Sequence, residues 1–309
     1  MKVNETDPGT AKYYAAAVAA YMIWGFFSLV LMPIHNYSSP DILFYRVFTC
    51  AVLMPGIVLV FKRRILRETV RSFQSMPVRE KRQTVLLNIS GSIFLTGNWF
   101  SFIYVMDHIS IKATSLAYLI CPVITTLLAF FILKEKLNKL QWLSVALSVA
   151  ACLLLSYADL RDMLFSVVIG FSYACYLVSQ RRNKGFDSFI VLTVHIVISA
   201  LILLPFFHAF GGKPPAEMKF YVYIGIIAVF FTILPLFLNL FALTGIDSSI
   251  VGMLLNINPI IAFTLAIVVF HESISKEQII GYSIIFISVI IFNWTAIFGR
   301  KRERIEVKG

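Results

Sequence analysis

The sequence predicts an all-α membrane protein, with ten transmembrane helices arranged as two inverted five-helix repeats. Three observations carry this. The 309 residues are 59% hydrophobic and only 14% charged, far less charge than a water-soluble domain of this size carries. Apolar runs of about 20 residues, the length that crosses roughly 30 Å of hydrocarbon as a helix, recur along the chain. The chain also matches itself at an offset of 137 positions.

Ten apolar runs can be placed in order, at 13–33, 41–61, 84–106, 113–133, 140–157, 163–180, 187–208, 220–242, 248–270 and 278–298. The first ends in "LVLMPIHN", without the small-x-small site that cleavage needs, and is expected to remain as an anchor. Between the second and third, the 62–83 connection holds "KRRILRETVRSFQSMPVREKR", an amphipathic basic segment suited to the membrane surface. The other connections are mostly short, so successive spans should be antiparallel neighbours, with no room for a soluble module. The expected organisation is a cytoplasmic tail 1–12, a first repeat 13–157, a second repeat 158–298 and a basic cytoplasmic tail 299–309.

The net charge of +11 is distributed by side. With the amino terminus in the cytoplasm, 21 Lys and Arg fall on inner segments and five on outer ones, Lys112, Arg161, Lys213, Lys219 and Lys276. This is the positive-inside pattern. It orients a multi-pass protein of the inner or plasma membrane with both termini cytoplasmic, and assigns the basic excess to anionic lipid rather than to nucleic acid.

The repeat rests on polar coincidences. "AYLICPVITTLLAFFILKEKLNKLQ" (117–141) lies on "LLNINPIIAFTLAIVVFHESISKEQ" (254–278), pairing Pro122 with Pro259, Glu135 with Glu272, Lys139 with Lys276 and Gln141 with Gln278. The fourth and fifth spans thus correspond to the ninth and tenth. An odd number of crossings per unit inverts the second relative to the first, an architecture recurrent among secondary transporters with a site near the midplane.

Each proline removes a backbone donor, which leaves the carbonyls of Tyr118 and Leu255 to find partners. In hydrocarbon such breaks are tolerable only where they face protein or a wet cavity. The fourth and ninth spans are therefore expected to wall a central polar cavity and to bend at Pro122 and Pro259. Asn256 and Asn258, two positions apart, should point to different sides, with Asn258 the preferred lining residue. Glu135 and Glu272 each precede a Lys by four residues, so Glu135–Lys139 and Glu272–Lys276 are expected as interfacial ion pairs.

Arg46 is the only formally charged residue well inside a predicted span. An Arg at the centre of a span costs roughly 2.5 to 3.5 kcal/mol, so it reads as a substrate contact, the alternative being outward snorkelling toward Asp107. Trp24, Asn98, Trp99 and Tyr118 lie at comparable depth, and Tyr173 and Tyr176 lie near the middle of the sixth span. His195 reads as a packing residue, and Ser144, Ser148 and Cys152 as a small-residue stripe for helix contact.

The four cysteines fall inside spans at scattered depths, which argues against disulfides and a metal site. No Asp or Glu lies deep in a span, and there is no P-loop, HExxH or nucleophile beside a His, so neither catalysis nor a cofactor is expected. The expected partners are a small-molecule substrate, whose anionic group Arg46 would suit, and anionic lipid at the cytoplasmic face. The chain would act as a monomer or homodimer. A membrane protein without transport, an assembly factor or lipid-modifying enzyme, is the competing class, and it would lack a solvent-accessible central cavity.

Together "AYMIWG" (20–25), "YR" (45–46), "GNW" (97–99), "SLAYLICP" (115–122) and "INP" (257–259) resemble the RarD-like branch of the EamA family, within the drug/metabolite transporter superfamily. The resemblance covers about 13 to 298. It implies two inverted five-helix repeats, a pocket among spans 1–4 and 6–9, spans 5 and 10 at the periphery, and transport, commonly outward, of a small metabolite or drug-like compound. The chain departs from the family-like "SLGYFINP" of the fourth span at Ala117 and Cys121. The amide that resemblance places beside Pro122 is therefore missing here and survives only as Asn258.

Overall fold

The structure, a computed structural model, describes residues 10–109, 111–156, 160–183, 185–271 and 274–294. Among these there is no strand. Fourteen α-helices are present: α1 (Ala11–Gly25), α2 (Phe27–Leu31), α3 (Ser39–Phe61), α4 (Arg63–Ser75), α5 (Val78–His108), α6 (Ile111–Leu128), α7 (Lys139–Ser156), α8 (Leu160–Arg182), α9 (Ser188–Phe210), α10 (Met218–Ala228), α11 (Leu234–Gly245), α12 (Ser248–Leu254), α13 (Ile257–Val268) and α14 (Lys276–Phe292).

Among the described residues, seven stretches are long and apolar enough to cross a bilayer, and an eighth results if Ala11–Gly25 and Phe27–Ile34, bent by 41°, count as one. The sequence predicts ten. The shortfall lies in α7 and α14. The 17 residues of α14 rise about 26 Å, less than a typical hydrocarbon core. Residues 295–298 of the predicted tenth span, like the terminal segments 1–9 and 299–309, lie outside the described residues.

The 137-residue offset reappears in the backbone. Lys134 (φ 58°) and His271 (φ 53°) are the two non-glycine residues with positive φ among those described; Lys134 caps the helical segment before it, and His271 follows two residues after Val269, the cap of α13. Reciprocal caps then start the next helices. Asn138 and Gln141 exchange backbone–side-chain hydrogen bonds of 2.9 Å, and Ser275 and Gln278 do the same at 3.0 and 3.2 Å. α6 and α12 also begin 137 positions apart, at Ile111 and Ser248.

Packing follows the same exchange. α6 packs on α8 as α13 packs on α1, and α5 packs on α8 as α11 packs on α1. α3 meets α9, α6 meets α12 and α7 meets α14. Gly252 permits the α6–α12 approach, since a Cβ there would lie 2.7 Å from Thr125 Cγ2. Between α7 and α14, Ser144 Oγ donates to the Ser288 carbonyl (2.6 Å) and Ser148 Oγ lies 2.9 Å from Ser288 Oγ, the helix-packing part its stripe suggested.

Two expectations change. The basic segment 62–83 is divided: α4 holds 63–75, and after extended Pro77 (φ −58°, ψ 150°) residues from Val78 on belong to α5. In α4, Ile65, Leu66, Val70 and Phe73 share one side of the helix and Arg64, Arg67 and Arg71 the other. Second, Pro122 does not break its helix, for α6 runs through it. The break is at the second proline only, between α12 and α13, where Asn258 N–H donates to the Leu255 carbonyl (3.1 Å) and so satisfies the acceptor that Pro259 leaves free.

Candidate functional site

A cavity of about 350 Å³ lies between the two halves of the chain. α1, α3, α5 and α6 supply one part of its wall and α8, α13, α14 and the Val229–Leu236 stretch the other. It extends from Tyr173 and Leu236 to Ser39, Met106 and Thr114, at one end of the bundle. Among the described residues, none from the opposite end, where Lys62, Glu135, Asp187 and Ser248 lie, takes part in the lining.

Of the residues singled out in the sequence, Trp24, Arg46, Asn98, Trp99, Tyr118, Tyr173, Asn258 and Pro259 line this cavity. The Arg46 guanidinium lies 5.2 Å from the centre of the Trp99 ring. Its Nε is buried without an acceptor, and among the described residues no carboxylate pairs with it. Snorkelling to a carboxylate is not what the structure shows. Asp107 is exposed, and Asp41 accepts from Gly212 N–H (2.8 Å) and Ser38 Oγ (2.6 Å).

Several wall residues are already committed to protein. Trp24 Nε1 donates to the Phe231 carbonyl (2.9 Å), within the π-helical turn Val229–Ile233 that joins α10 to α11. Asn98 Nδ2 donates to the Ile169 carbonyl (2.9 Å) and to Ser172 Oγ (3.3 Å). Tyr118 packs on Phe102, and Trp24 packs edge-on against Tyr173. Among the described residues the Asn258 amide makes no hydrogen bond, and it faces the cavity.

Three sequence-selected residues fall elsewhere. Tyr176 is fully buried behind the wall, its hydroxyl 3.4 Å from His195 Nδ1. Asn256 is also buried away from the cavity, and neither amide atom has a partner. Pro122 lies in the body of α6, with Thr126 Oγ1 donating to its carbonyl.

The ion pair expected of Glu135 and Lys139 is replaced by another contact. Four-residue spacing juxtaposes side chains only within one helix, and here the helix ends before left-handed Lys134 while Lys139 opens α7. Glu135 reaches instead across 113 residues. Its Oε1 accepts from the Ser248 N–H (2.9 Å) and hydroxyl (2.7 Å), and its Oε2 from the Ser249 N–H (3.0 Å). Glu272 lies outside the described residues, and Lys276 is exposed.

Sequence reasoning missed two residues. Asn239, buried in α11, donates to the hydroxyls of Tyr21 (2.9 Å) and Tyr173 (3.1 Å), and so fixes a cavity wall from behind. Arg181, buried at the end of α8, donates to the Leu243 carbonyl (2.7 Å) and to Asp247 (2.8 Å). A polar side chain in an apolar run was the available signal for Asn239. Lys62 and Asp187 also pair, at 3.1 Å, at this end.

The fold and cavity define a multi-pass membrane protein with a solute-sized chamber shared by its two halves. The chain belongs to the EamA-like transporter family, whose model matches it twice, at residues 11–157 and 161–294. It is 28% identical to the uncharacterized transporter YojE of Bacillus subtilis, over 98% of this chain and 99% of that one. It is 27% identical to the protein RarD of Streptomyces exfoliatus (94% and 90%) and 22% identical to the protein RarD of Escherichia coli (93% and 95%). A solved crystal structure only 14% identical has the same fold, with a TM-score of 0.73 over 93% of this chain and 98% of its own.

Proposed function

We propose that this chain is a secondary transporter that moves a small solute across the cytoplasmic membrane by alternating access. The observation that carries the reading is the cavity, whose wall comes from both matched segments and which reaches only one end of the bundle. In this reading the two segments are inverted repeats, α7 and α14 are short peripheral crossings, and both termini are cytoplasmic. The paired caps at Asn138 and Ser275, the exchanged helix contacts and the distribution of Lys and Arg support it.

That topology makes the closed end cytoplasmic and the open end external. Glu135 on Ser248 and Lys62 on Asp187 join the two halves at the closed end. Trp24, Trp99, Tyr118 and Tyr173 give the solute apolar contact, Arg46 and Asn258 give it polar contact, and the break before Pro259 gives α13 freedom to tilt. Arg64, Arg67 and Arg71 of α4 face anionic lipid headgroups.

Two measurements test the reading. Solutes that stabilise the purified protein against heat should exchange across proteoliposomes. Binding without movement would leave a receptor, not a carrier. Cysteines placed at Asn138 and Ser275 should label from opposite faces of the membrane, and labelling from one common face would end the inverted topology. Export, the direction implied by the family resemblance, is read by loading solute on either side.

A further inference from the structure

We propose that the solute is an amphipathic organic anion, with one carboxylate-like group, no cationic group, and a flat apolar body of one or two rings. This rests on the reading of the cavity as a solute site, and it names the chemistry that site selects.

The charge of the wall is the first argument. Among the described residues, Arg46 is the one charged side chain lining the cavity, and these include no Asp, Glu, Lys or His. A buried cation without a counter-ion is costly, and loss of a partner leaves a large uncompensated penalty. Here Arg46 has no protein carboxylate among the described residues, and its Nε lacks an acceptor. A mobile anion supplies what the fold withholds.

Geometry sharpens the choice of group. With its guanidinium lying over the Trp99 ring, Arg46 presents a planar fork of donors, which matches the two oxygens of a carboxylate. The remaining wall near it is largely apolar: the Trp24 N–H and the Asn98 amide N–H are taken by carbonyls of Phe231 and Ile169. Those residues therefore offer ring face and packing rather than donors. Asn258 remains to meet a single neutral polar atom on the solute.

Size and sign exclude the neighbouring classes. At about 350 Å³ the cavity is at the small end of the roughly 300–1,000 Å³ range of sites for drug-sized ligands, which suits one or two rings. A cationic aromatic would gain from the ring faces. It would also bring a second positive charge beside Arg46, with no carboxylate among the described wall residues to offset it.

The test is one ring system carried at three charges. Indole-3-acetate, indole-3-acetamide and tryptamine are titrated against the full-length protein in nanodiscs, followed by calorimetry and by thermal midpoint. The acetate should bind at least about tenfold more tightly than either of the others, as a charge-assisted pair in a poorly hydrated site requires. Arg46→Gln should erase the difference between acetate and acetamide, and Arg46→Lys should keep part of it. The series on the unaltered protein decides the matter even if the variants unfold. Equal or tighter binding of the amide or amine, no binding of the acetate, or an undiminished preference in Arg46→Gln would each overturn the proposal. Acetate that binds through Arg46 yet never crosses proteoliposomes retires the transport reading and leaves the anion site. Flux indifferent to charge does the reverse.

Discussion

Replacing Glu135 with alanine should unfasten one end of the bundle without touching the cavity. α12 has no side-chain cap of its own, because Asp247 makes no capping bond and is engaged by Arg181 instead. Its first two N–H groups and the Ser248 hydroxyl are satisfied by the Glu135 carboxylate from the other half of the chain, through bonds of 2.9, 3.0 and 2.7 Å. Ser248 and Ser249 are buried, at 0% and 2% exposure, so water cannot readily take its place. A lost cap costs about 0.5–2 kcal/mol and a hydrogen bond to a charged group about 1.5–3 kcal/mol. Three bonds sharing one carboxylate do not add, so about 2–3 kcal/mol is the expected total.

If the contact exists only while this end is closed, that energy shifts the ratio of closed to open states by roughly 30- to 150-fold. Cys121 lines the cavity and serves as the reporter, with Cys50, Cys152 and Cys175 changed to Ser. A membrane-impermeant thiol reagent is added to one face at a time, and labelling rates are compared. Glu135→Ala should raise labelling from the cytoplasmic face and lower it from the outside. Glu135→Gln, which sets an amide donor against the Ser249 N–H, should fall between the two. A lower thermal midpoint with unchanged sidedness would refute the reasoning, because Glu135 would then be a cap common to both states.

The remaining predictions follow from the same geometry. Swapping halves by the 137-residue offset maps Glu135, Ser248 and Ser249 onto Glu272, Ile111 and Lys112. Glu272→Ala should therefore shift Cys121 labelling in the direction opposite to Glu135→Ala, and a shift in the same direction would break the symmetry argument. Asn239→Leu strips the donor from two buried tyrosine hydroxyls. It should lower stability by about 2 kcal/mol and weaken binding to the wall that Tyr173 forms, measured by thermal unfolding and by titration of a stabilising solute. Asn256→Leu removes two buried amide atoms that have no partner. It should stabilise the protein by about 1 kcal/mol or more in thermal unfolding, and a destabilised variant would show that the amide is in fact paired.

Much of the wall was legible because polar groups in apolar helices are expensive. Arg46, Trp24, Asn98 and Asn258 stand out against their surroundings, and the structure brings them to one cavity. The two asparagines before Pro259 divide as two positions on a helix should, Asn258 facing the cavity and Asn256 turned away. The same logic did not separate Tyr173 from Tyr176. Both are buried aromatic residues of α8, and only the neighbours, Trp24 for one and His195 for the other, decide which is wall and which is packing. Hydropathy placed α7 to within a residue, but at 18 and 17 residues α7 and α14 lie at the lower limit for a crossing.

What stayed hidden is long-range. Glu135 and Lys139 have the spacing of an ion pair, and nothing local reveals that Lys134 turns left-handed and frees Glu135 for a helix end 113 residues away. Yet the repeat itself held the clue. Positions 134 and 271 share that backbone turn, and positions 138 and 275 share the cap that follows. Glu135, just after a helix stop and just before a helix start, is therefore poorly placed to pair within its own helix. It is well placed to reach the other half. In the proposed inverted arrangement, a contact of that kind can be made at one end of the bundle while its counterpart at the other end is released. That makes sequence symmetry, more than hydropathy, the feature on which the proposed alternating access rests.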